Sequence, residues 1–119
     1  MPIDRPTANE LIASAAEHLA VNVRPALGGH GAFEALIAAN LLAIALRELE
    51  LGPELCAADE RDLAGLLGRK GPVEELEARL VDEIREGKLD NRAEVLAVLR
   101  ASARRRLRIA NPEYVREED

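Results

Sequence analysis

A chain of 119 residues has the usual size of one domain and buries enough of its unfolded surface for a single core. Its composition, 48% apolar and 32% charged, excludes a disordered chain, and its two aromatic residues, Phe33 and Tyr114, exclude stacking platforms for bases. With 22 acidic against 16 basic residues, it repels a phosphate backbone unless its cations gather on one face, so nucleic acid is not an expected partner.

Apolar residues recur three and four apart almost throughout, and no window alternates as a strand does, so the pattern predicts an all-α, compact bundle of about five helices with no sheet. The bundle is expected to form a single helical domain over residues 1–119, with frayed ends at 1–5 and 115–119. The first helix opens at Thr7, because Thr7-Ala8-Asn9-Glu10 has the spacing of a capping box. Leu11, Ile12, Ala15, Leu19 and Val23 line one of its faces before Pro25 and Gly28-Gly29 end it.

The second helix is expected from about Gly31 to Leu51. Between Phe33 and Leu46 only Glu34 and Asn40 interrupt an apolar sequence, a pattern of a central enclosed helix or of one whose spare face is covered by a second subunit. Gly52-Pro53 is then expected to break the chain. A third helix, about Pro53 to Leu67, turns Leu55, Leu63, Leu66 and Leu67 inward and is capped by Gly68. The fourth starts near Pro72, carries Val73, Leu76, Leu80 and Ile84 on one stripe and stops at Gly87. The fifth opens at Asn91, with Glu94 completing a box-like cap, and runs to about Ile109 through Val95, Leu96, Leu99, Ala103 and Leu107.

Catalytic and cofactor signatures work by bringing particular groups within bonding distance, and none is present at a usable spacing. Gly28-Gly29-His30-Gly31 lacks the preceding strand and the Lys-Ser/Thr pair of a phosphate loop and suits a helix–helix turn. His18 and His30 are not spaced as paired metal ligands and read as surface residues. Cys56, the only cysteine, permits no intrachain disulfide and reads as a small buried apolar residue. No uninterrupted apolar run has the length expected of a bilayer span, and the first residues lack a signal peptide's apolar stretch, so a cytoplasmic protein with no membrane contact is expected.

Two polar features stand out. Asn40 lies in the most apolar helix, with Arg47 and Glu48 two turns on, and together they suggest a buried polar cluster that fixes helix register, ahead of the alternative of a ligand-binding site; a buried amide without partners costs about 1–3 kcal/mol. The other is an arginine stripe of Arg100, Arg104 and Arg108, in a segment that also holds Arg105 and Arg106. The acidic third and fourth helices can neutralise it as exposed ion pairs, or it can contact a ligand phosphate or an acidic protein.

Several segments together, Arg5-Pro6-Thr7-Ala8, Pro25-Ala26-Leu27, Ala32-Phe33, Ala38-Ala39-Asn40, Arg47-Glu48-Leu49-Glu50-Leu51-Gly52 and Ile109-Ala110-Asn111-Pro112-Glu113-Tyr114, carry a resemblance over nearly the whole chain. The chain resembles an uncharacterised family of short bacterial helical domains, found beside or joined to aminoglycoside-phosphotransferase-like kinases and acyl-CoA dehydrogenases. That resemblance implies an accessory role and brings no catalytic residue. The expected function is therefore a non-catalytic accessory or protein-interaction domain without a cofactor or metal, homodimeric through the second helix and docked on a metabolic enzyme. The alternative is a small-molecule module that binds the phosphates of an acyl-CoA or a nucleotide.

Overall fold

The computed structural model describes residues 5–115, so residues 1–4 and 116–119 of the ends expected to fray lie outside it. The described residues contain helices and no strand, which is the all-α class expected. They divide into two compact units, one up to Leu51 and the other from Gly52 onward.

In the first unit, α1 (Ala8–Glu17) starts as its sequence dictates. The Thr7 hydroxyl accepts from the Glu10 amide at 3.1 Å, and the Glu10 carboxylate accepts from the Thr7 amide at 3.0 Å. The rod continues as a π-helical stretch, His18–Val23, and a short α2 (Arg24–Ala26), before Leu27 turns extended. Then α3 begins at Gly29, whose φ of 52° is in the left-handed region open to glycine.

The break expected at Gly52-Pro53 does not occur. Helix α3 runs unbroken over Gly29–Leu67 with Pro53 inside it, so two predicted helices are one. Proline's fixed φ is itself helical; what it removes is one amide donor, while crowding the carbonyl four residues back. Propensity reported that local cost, about 3 kcal/mol, but not the helical turns on both sides that outweigh it. This helix is long and apolar enough to cross a membrane by length and composition, with an 18-residue window of mean hydropathy 1.5 that is 11% buried, which the sequence expectation did not anticipate.

Within the first unit the amino-terminal part of α3 is not enclosed. Among the described residues of the first unit only Ala35 and Ala39 are buried, while Phe33, Ile37, Leu41 and Leu49 are 41–62% exposed. One neighbouring helical rod cannot cover a helix that is apolar nearly all round.

In the second unit, Leu63 of α3 packs with Leu76 and Leu80 of α4 (Val73–Arg85), and Leu66, Leu67, Val73, Leu89 and Val98 surround them. Gly68 ends α3 at a φ of 70°, its amide donating to the Ala64 carbonyl at 2.8 Å. Pro72 gives α4 no side-chain cap; instead the Glu60 carboxylate accepts from the Val73 amide at 3.2 Å and places negative charge at the helix's positive end. At the other end Lys88 donates to the Glu83 carbonyl and Gly87 to that of Ile84, a Schellman arrangement that requires the φ of 71° at Gly87. The last long helix, α5 (Arg92–Ala110), is capped by Asn91, whose side chain accepts from the Glu94 amide at 3.1 Å as expected. A 3₁₀ turn, Pro112–Tyr114, follows.

Candidate functional site

The most structured polar group of the chain lies in the second unit, where α5 meets the carboxy-terminal part of α3. Asp59 and Asp62 are three residues apart and share a face of α3; Ser102 and Arg105, with the same spacing, share a face of α5. Arg105 donates to Asp59 Oδ1 at 2.6 Å and to Asp62 Oδ2, while the Ser102 hydroxyl donates to Asp59 Oδ2 at 3.1 Å. The Arg105 side chain is only 17% exposed. Burial by itself would lower its pKa, but hydrogen bonds to Asp62 and Asp59, and their charges, more than reverse this and hold it above the ordinary arginine value.

This cluster borders a cleft of about 230 Å³, together with Leu63, Leu80, Val98 and Leu99. Arg106 reaches Glu77 at 3.6 Å across it. The arrangement is a structural clamp: both oxygens of Asp59 are engaged, and the guanidinium is shared between two carboxylates. No nucleophile stands against a free base here. Among the described residues no group of three or more His, Cys, Asp or Glu side chains is placed to hold a metal.

The arginines that neutralise the acidic helices are thus Arg105 and Arg106, not the expected stripe. Arg100 and Arg108 are exposed and Arg104 is half-buried, and no carboxylate among the described residues lies within ion-pair distance of the three. The sequence held one signal for the clamp: Asp59 and Asp62 stand beside Leu63 and Leu66 on α3's inward side, and Ser102 and Arg105 continue the row from Val98.

The polar group on α3 is also placed otherwise than expected. Asn40 and Glu48 are exposed and Arg47 is half-buried, so the first unit does not bury this cluster; its helix has more faces there than neighbours. Cys56 likewise is exposed rather than buried. Partial desolvation, then the charges of Glu60 and Glu74, push its thiol above the ordinary value, which disfavours the nucleophilic thiolate. His18 and His30 are surface residues, His18 beside Asn22 at 3.0 Å and His30 beside Glu34 at 3.4 Å.

Helices without a strand among the described residues, joined at a polar centre of Asp59, Asp62, Ser102 and Arg105, define a small all-helical domain. The chain belongs to the family described as Domain of unknown function (DUF6285), whose model matches residues 25–114. The match begins at the end of the first helical rod and takes in α3, α4, α5 and the 3₁₀ turn. No curated protein and no solved structure matches the chain.

Proposed function

We propose that this protein is a non-catalytic accessory domain of the bacterial cytoplasm that works by binding other proteins. It pairs with a second copy through α3 and docks on a metabolic enzyme of the acyl-CoA dehydrogenase or phosphotransferase-like kinase kind. The observation that carries the reading is the apolar row on α3, where Phe33, Ile37, Leu41 and Leu49 are left exposed. Contiguous apolar surface of this kind marks an interaction site. A protein neighbour suits it better than lipid, because Glu34, Asn40 and Arg47 interrupt the helix, and a charged group at a bilayer's centre costs about 2.5–3.5 kcal/mol on the most lenient scale.

Light scattering is expected to give twice the chain mass at micromolar concentration, and Leu41→Glu to return it to the monomer. Purification of the tagged chain from its host should bring down one metabolic enzyme in stoichiometric amount. A monomer that co-purifies with nothing refutes the reading.

A second reading rests on the exposed Arg100 and Arg108 and the half-buried Arg104, which have no carboxylate partners among the described residues and whose guanidinium forks suit phosphate. In it, coenzyme A, an acyl-CoA or ATP raises the melting temperature, and changing the three arginines to Gln abolishes the rise. A wild-type chain whose melting is indifferent to all three ligands discards it.

A further inference from the structure

The part of α3 that lies in the first unit has two faces of different character. Its buried residues, Ala35 and Ala39, are on one side. About 200° round the helix from them stand Phe33 and Ile37, and the row these begin continues through Asn40, Ile44 and Glu48. Phe33 and Ile37 are 57% and 41% exposed, Asn40 and Glu48 are exposed, Ile44 is half-buried, and Leu41, 62% exposed, flanks the row. Steps of three and four residues keep a row on one side of a helix, which is how the seam between two helices packed side by side is made.

Two features of this row point to a second copy of the chain as its cover. The first is Asn40, a lone amide among aliphatic and aromatic side chains. An amide donates and accepts, so another amide satisfies it; a copy of the same row supplies one, whereas an apolar helix of an unrelated protein buries it without a partner. The second is the charge at the two ends. Exposed His30 stands before the row, its Nε2 3.4 Å from Glu34, and five full turns of helix bring the chain round to the same side at Glu48. Parallel copies set Glu48 beside Glu48, which repels. Antiparallel copies related by a two-fold axis beside Ala39 set His30 level with Glu48 of the other copy at both ends, and bring the two Asn40 residues within about 3 Å of the same height.

We propose that two copies of the chain pack this row of α3 against itself in antiparallel order, with Asn40 as the residue that selects the direction and the register. The inference rests on the self-pairing of the accessory reading and specifies its surface and its symmetry. Asn40 chooses between arrangements and does not add strength. An amide in an apolar seam weakens the pairing as a whole, and it weakens most those arrangements that set it against aliphatic side chains. In a symmetric pair one substitution removes both amides together, so an apolar residue at this position leaves no orphan and frees the seam to pair in either direction.

The test uses the full chain with Cys56→Ser, so that an introduced cysteine stands alone. Glu34 and Ala45 are exposed on one edge of the row, and the antiparallel arrangement sets Glu34 level with Ala45 of the other copy. On mild oxidation a mixture of Glu34→Cys and Ala45→Cys chains is expected to form the mixed disulfide, identified by mass, about tenfold faster than either chain links to itself, and Phe33→Cys chains should stay unlinked. Adding Asn40→Leu should lower the dissociation constant of the pair about tenfold, erase the preference for the mixed disulfide and let Phe33→Cys link to itself. Circular dichroism of each variant checks that it remains helical. Absence of the mixed disulfide, self-linking of Phe33→Cys beside a native Asn40, or a preference that survives Asn40→Leu overturns the proposal. Light scattering on the chain without introduced cysteines separates the two failures: a dimer that forms no mixed disulfide removes only this arrangement, while a monomer removes the self-pairing itself.

Discussion

Helices α4 and α5 are both amphipathic in sequence, yet they use their faces in opposite ways. On α4, Leu76 and Leu80 are 2% and 5% exposed and pack on Leu63, with the carboxylates of Glu74 and Glu75 outside. On α5 no residue is fully buried; Val98, Ser102 and Arg105 face inward and Leu96 and Leu99 face out. The difference teaches that an apolar stripe finds the core only when the neighbouring surface is apolar. Here α3 offers Asp59 and Asp62 to α5, and a charged pair with good geometry selects arginine over leucine.

Stability measurements can break this comparison. The largest expected effect is at Leu76, the most deeply buried side chain, where Leu76→Ala should cost about 2–5 kcal/mol in urea unfolding. The same change at Leu96, on the outward row, should cost under about 0.5 kcal/mol. Equal losses at the two positions would mean that α5 packs through its apolar face after all.

A smaller effect is expected in the clamp. Arg105→Gln leaves Asp59 and Asp62 partly buried without their cation, and should destabilise the chain by about 1–3 kcal/mol. Asn40→Ala, by contrast, should stay within about 0.5 kcal/mol, because the amide is exposed. A large loss at Asn40 at concentrations where the chain self-associates, and none on dilution, would show that a second copy buries it.

Much of the local structure was legible residue by residue. Thr7 with Glu10, Asn91 with Glu94, Gly68 and Gly87 all cap where their chemistry places them, because a cap is decided by three or four neighbouring residues. Leu63, Leu76 and Leu80 were likewise readable as core from their spacing. Ile84 was expected in the same stripe but is half-exposed at the end of α4, where the helix passes beyond the buried cluster. The arginine stripe was legible as a feature but not as to its role. Arg104, Arg105 and Arg106 are indistinguishable by composition, and the 100° step between successive residues alone separates the clamp from the free face.

The sequence by itself determined the helical class, the caps and the aliphatic core between α3 and α4, since these follow from periodicity and from hydrogen bonds closed within a few residues. Tertiary structure alone decided that Pro53 lies within a continuous helix, that Glu60 caps α4 from thirteen residues away, and that Arg105 rather than Leu99 faces α3. Each of these depends on what stands opposite, and a residue's partner across a helix interface is not encoded in its own neighbours.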